Sequence, residues 1–248
     1  MRRYQLHSEL EINKEKGEPM KLRKTISGMS ARNWLLSLTA STCLLLGDPA
    51  QAEPAQPFTS AAQEQAAGTK GVVLISANWG RSWGCGRNDY AQLQLLGFDK
   101  IEPGTRPLSQ RPELVIQGAE SGNAQQIPFS NYAFLVDPGE YEFSLYLIHV
   151  ARSMTQTAHF SGDRKSLFQD GRSKVGSFKV GAGEIVYVGH FALDCVQAPM
   201  PWRFYPETRA DFTQYLDKVK QQYPDLDTSK AVFRLFETKL IGKPYVLP

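Results

Sequence analysis

The chain has 248 residues, with 28 Lys+Arg against 25 Asp+Glu, 42% hydrophobic residues and three cysteines. That length holds one domain or two small ones and is enough for a substantial core. A charged fraction of 21% with a net charge of +3 excludes a disordered polyelectrolyte and leaves no footprint for nucleic acid; 20 glycines and 15 prolines are too ordinary for low-complexity architecture.

The first fifty residues read as an address. Their longest apolar stretch, Trp34 to Leu46, is shorter than the roughly 18 residues of a membrane-spanning helix. Lys21, Arg23, Lys24 and Arg32 precede it, and Gly47-Asp48-Pro49-Ala50-Gln51-Ala52 follows. A basic stretch, a short apolar run and a small-x-small ending describe a secretory signal over 1–52, cut after Ala52, with translation starting at Met20 or Met29. Cys43 raises the alternative of a lipid anchor, but Leu44-Leu45-Leu46 carry the apolar run past it, so it is read as part of the leader. The leader holds eight Lys+Arg and five Asp+Glu, which leaves 20 of each and no net charge in the exported chain.

Residues 53–69, rich in Ala, Gln and Pro, have no sustained period and predict a flexible linker to a single domain over 70–248. Gly71 to Ile75 is fully apolar and predicts a strand buried on both faces. Asn131 to Val136, then Asp137-Pro138-Gly139-Glu140, then Tyr141 to Val150 predict strand, turn, strand, with Tyr141, Phe143, Leu145 and Leu147 on one face. Residues 152–174 read as a polar excursion holding a short helical turn. Ser177 to Val180, Gly181-Ala182-Gly183-Glu184 and Ile185 to Leu193 repeat the strand–turn–strand logic. Phe212, Tyr215, Leu216, Val219 and Tyr223 form a helical stripe, opened by a Thr208/Asp211 capping box and stopped by Pro224. Ala231 to Phe236 and, more weakly, Tyr245 to Leu247 predict final strands.

Short strands with frequent turns and one late helix predict a mainly β chain, an antiparallel β-sandwich with one C-terminal amphipathic helix. The segments Val136-Asp137-Pro138-Gly139-Glu140-Tyr141 and Val180 to Gly189 resemble recurring hairpin motifs of uncharacterised exported bacterial proteins. Those families have transthyretin-like or immunoglobulin-like sandwiches. The resemblance spans about residues 131–195 and implies the fold but no activity.

Removal of the leader leaves Cys85 and Cys195, most simply a disulfide in an oxidising compartment, with a metal pair or a reactive thiol as alternatives. Trp79, Trp83 and Trp202 flank these cysteines. They predict either an aromatic plug around the bridge or a ligand-stacking surface with Arg81, Arg87 and Arg203 as anion contacts. Gly80-x-x-x-Gly84-x-Gly86 lacks the Lys-Ser/Thr of a phosphate loop, and Asp225-x-Asp227-x-Ser229 lacks the Gly and distal acid of a calcium loop. His149 has the parity of Leu145 and Leu147, and His190 that of Val186 and Val188; with His159 they could meet if their strands are neighbours, with Asp194 nearby. A hydrolase or metal site on His149, His190 and Asp194 is therefore the alternative to a binding or interaction module. The leading expectation is a non-enzymatic periplasmic or cell-envelope module. It has no cofactor or metal, and its partner is an unknown envelope protein or glycan.

Overall fold

The computed structural model describes residues 54–86, 88–101, 110–118, 128–151, 156–196 and 198–248. In chain order these form β1 (Gln56–Pro57), α1 (Ser60–Ala66), β2 (Gly71–Ala77), β3 (Arg81–Ser82), β4 (Ala91–Lys100) and β5 (Leu114–Gln117). Next come β6 (Ser130–Val136), β7 (Gly139–Ala151), β8 (Thr157–Gly162), α2 (Arg164–Leu167), and the paired β9 (Phe168–Gln169) and β10 (Arg172–Ser173). The remainder holds β11 (Gly176–Val180), β12 (Ile185–Asp194), β13 (Met200–Phe204), α3 (Arg209–Gln222), β14 (Ala231–Phe233) and β15 (Glu237–Thr238). The leader, both candidate start methionines, Cys43 and Arg87 lie outside the described residues.

The expected β-sandwich with a late helix is the architecture. One sheet runs β1-β6-β2-β12-β13, with β14 also on β12; the other runs β15-β11-β7-β4-β3, with β5 on β4 and β8 on β7. Val73, Ile75, Val186, Val188 and Phe191 of the first sheet pack against Leu93, Phe98, Phe143 and Ile148 of the second. The opposite face of the first sheet, with Val72, Leu74, Ile185 and Tyr187, packs on Phe212, Tyr215 and Val219 of α3. Layers on both sides explain why β2 and β12 are apolar at both parities. The α3 start is as expected: Thr208 Oγ1 accepts from Asp211 N at 3.1 Å, and the Asp211 carboxylate accepts from Thr208 N at 3.2 Å.

Both glycine–glutamate turns differ from hairpins. β6 lies in the first sheet and β7 in the second, so Asp137-Pro138 carries the chain from sheet to sheet. Gly181 to Glu184 makes the reverse crossing, from β11 to β12. The two crossings share one end of the sandwich, where Gly71 lies beside Val136 and Val180 beside Gly139. Lys70 links them: its ammonium lies 3.7 Å from Asp137, and its carbonyl accepts from Gly183 N at 3.0 Å. Because β12 starts from this end, as β2 does, the two run parallel; β14 is parallel to β12 as well, so the first sheet is mixed rather than purely antiparallel.

The segment read as a flexible linker is folded over its described part. Gln56–Pro57 pairs with Leu135 and Phe134 of β6, and Thr59 caps α1 by accepting from Ala62 N at 3.1 Å. Phe58 supplies the reason, being 6% exposed and edge-on to Tyr223 at the end of α3. The excursion contains the expected helical turn, α2, but also the strand β8 against the second half of β7. Tyr245 to Leu247 form no strand; Tyr245 instead stacks on Tyr205 at 4.1 Å.

Candidate functional site

At the end of the sandwich away from the two crossings, Cys85 and Cys195 form the expected disulfide across a separation of 110 residues. Trp79 closes this end of the core. It is 3% exposed, its Nε1 donates to the Tyr132 hydroxyl at 2.7 Å, and its carbonyl accepts from Gln92 Nε2 at 2.8 Å. Trp202, beside Ala192 on β13, and Cys195 pack against the same core. Trp83 stands apart at 47% exposure, edge-on to Tyr90 at 4.4 Å. Arg81 reaches Gln92 Oε1 at 3.4 Å. The bridge is therefore surrounded largely by packing, with Trp83 and Tyr90 as its one outward aromatic pair among the described residues.

The histidines divide between the sheets. His149 on β7 faces His159 on β8, ring centroids 5.2 Å apart. Burial first, then the charges of His159 and Arg81, lowers the His149 pKa. His190 lies on β12 in the other sheet, and contrary to its expected parity it does not share the face of Val186 and Val188. A register shift between Tyr187 and Gly189, with Gly189 at φ +128°, turns His190 toward the helix layer. There Tyr187 hydrogen-bonds His190 Nδ1, and Phe129 and Tyr215 pack on the ring. Burial, then the Lys218 charge, lowers the His190 pKa to about 4. Asp194 accepts from Val196 N at 3.3 Å. Thus β7 and β12, the strands bearing His149 and His190, are not neighbours, and the arrangement needed for a combined site is not met. Among the described residues no group of three or more His, Cys, Asp or Glu is placed to hold a metal.

Away from both of these places, a cleft of about 760 Å³ lies at the open edge of the sandwich beneath α3. β13 and β14 both pair with β12 but over different stretches, 190–194 and 185–187, which leaves this edge notched. Phe212, Phe233, Leu235 and Val175 supply apolar wall, and the irregular segment Pro244 to Leu247 supplies one side. Its charged lining is Lys174, Arg203, Arg209, Arg234 and Lys239 against a single acid, Glu237. Arg234 is engaged by Glu184 at 2.7 Å, and Arg209 Nη2 donates to the Pro248 carbonyl at 3.1 Å.

Arg203 is the unusual member, only 2% exposed. Its Nη1 and Nη2 donate to the carbonyls of Phe236 and Lys243, and its guanidinium carbon lies 5.5 Å from the centre of the Tyr205 ring. Nε has no hydrogen-bond partner, and no carboxylate is paired with this side chain among the described residues. Burial lowers its pKa, while Tyr205 and Tyr187 oppose that shift. Gly189 makes room for it, since a Cβ there would stand 2.8 Å from Arg203 Cγ. Sequence reasoning singled out Arg203 as an anion contact but grouped it with the disulfide. The cleft itself escaped notice because its far wall is an irregular tail with no periodicity to read.

No protein-family model matches the chain, and no curated protein or solved structure matches it. Among the described residues no helix is long and apolar enough to cross a membrane.

Proposed function

We propose that this protein is an exported binding module of the periplasm or cell envelope and that the cleft beneath α3 is its ligand site. The observation carrying this reading is the cleft, whose volume of about 760 Å³ falls within the roughly 300–1,000 Å³ of small-molecule sites. Its predominantly apolar wall with a few placed polar groups is the make-up of such a site. The signal-like leader supports export, and the Cys85–Cys195 bridge suits an oxidising compartment.

The test uses the chain without its leader and an environment-sensitive apolar dye such as N-phenylnaphthylamine. Saturable one-to-one binding that is lost in Ala231→Phe, a substitution that fills the cleft, is the expected result. A folded Ala231→Phe chain that binds the dye as well as its parent would overturn the assignment of the site.

A further inference from the structure

We infer that the cleft takes a long-chain carboxylate, its head group drawn in by Arg203 and its chain lying along the apolar wall. This rests on the reading of the cleft as a binding site. A buried cation is costly unless an anion accompanies it. Arg203 is buried, lines the cleft, and is met by two carbonyls and an aromatic ring, with no carboxylate among the described residues. Its hydrogen bonds are therefore largely made while its charge is not balanced. An anion entering the cleft supplies that balance in a medium where the attraction is strong. The exposed Lys174, Lys239 and Arg209 add positive potential around the cleft, whose lining holds one acid, Glu237.

At the buried guanidinium itself one negative charge suffices for balance, and a carboxylate carries one. The wall decides the rest: Val175, Phe212, Phe233 and Leu235 present hydrocarbon and aromatic surface that a polar body such as a sugar would not satisfy. An amphiphile with a monoanionic head and an alkyl chain is complementary to both.

The experiment compares three twelve-carbon probes below their micellar concentrations, by calorimetry and by dye displacement at pH 8: laurate, dodecanol and dodecyltrimethylammonium. Laurate is expected to bind one-to-one and at least tenfold more tightly than dodecanol, with the cationic probe weakest. Dodecanol binding as well as laurate would overturn the carboxylate inference while leaving the apolar cleft in place as a site. Failure of all three probes to displace a dye that does bind would overturn the inference too, and failure of the dye itself would remove the site. Arg203→Met is expected to bring laurate down to the affinity of dodecanol. Because that change can disturb folding, the comparison of head groups on the unaltered chain carries the test alone.

Discussion

Asp99 and Arg164, 65 residues apart in the chain, meet in a two-point ion pair that closes the start of α2 onto β4. The Arg164 Nη2 to Asp99 Oδ1 distance is 2.7 Å, and the side chains are 9% and 6% exposed. Arg164 Nη1 also donates to the Gln110 carbonyl at 2.5 Å. Removal of one partner from such a pair leaves a buried charge alone, whereas apolar replacement of both is often close to neutral. Asp99→Asn is therefore expected to cost about 3–5 kcal/mol in urea denaturation. Asp99→Leu with Arg164→Met should recover most of that; a double variant as unstable as the single one would contradict the account.

The two crossings depend on Gly71. A Cβ at this position would lie 2.4 Å from Val180 Cγ2 and 2.5 Å from the Gly181 carbonyl oxygen, and the second of these is backbone. Gly71→Ala is expected to lower stability by about 1–3 kcal/mol, the usual cost of overpacking. Gly84→Ala is the control, since nothing lies within 4 Å of its Cβ position. Equal melting temperatures for the two variants would sink the claim that the crossing is tightly packed there.

Protonation of His190 should be visible as acid sensitivity above the carboxylate range. Its folded pKa of about 4 lies below the ordinary 6.5, so the unfolded chain binds more protons between those values. Stability is thus full above pH 6.5 and falls as pH drops toward 4, by about 2–3 kcal/mol from this group. His149 is shifted in the same direction and adds to the loss. Glu184 and Glu140, both lowered below 4.5, contribute stability above that value which disappears as pH falls through their folded values. His190→Gln should flatten the profile between pH 6.5 and 4.5, leaving the acid limb. An unchanged slope would mean that His190 is not the group responsible.

The disulfide ties the loop between β3 and β4 to the end of β12, and its removal frees 110 residues of chain. In the chain-entropy model a closure this long contributes on the order of 4–5 kcal/mol. Cys85→Ser with Cys195→Ser should lower the denaturation midpoint accordingly while keeping the β spectrum. A loss under about 1 kcal/mol would show that the unfolded chain is already constrained near these positions.

Elements with unbroken periodicity were the ones readable from the sequence. The α3 stripe, its Thr208 cap and the two-sided apolar runs of β2 and β12 are all present. β4, a central strand, went unread because an extra residue shifts its register between Leu93 and Leu95, so that Leu93 and Leu96 share the inner face. β7 shifts too: Tyr141 and Phe143 face inward, but so do Ile148 and Val150, placing His149 on the outside beside His159. Parity carried across the β7 shift and across the Tyr187/Gly189 shift of β12 put His149 and His190 on the wrong faces. Nor does a turn's chemistry say whether it joins two strands of one sheet or passes between sheets; the Asp137 and Glu184 turns looked like hairpins for that reason. The cysteine pair was legible from the even count of cysteines beyond residue 52, while the cleft required residues from β13, α3 and the tail to be brought together.

The parallel pairing of β2 with β12 has a kinetic consequence. β2 emerges near the start of the domain, yet the neighbour that covers its second edge begins only at Ile185. Until that stretch is available, β2 can pair with β6 alone, and a row of its backbone donors and acceptors stays open to other chains. Pairings this distant along the sequence are slow to form, because the entropy of closing the loop is lost before any contact offsets it. For a chain made from its N-terminus, the vulnerable interval is the one between the arrival of Gly71 and the arrival of Ile185.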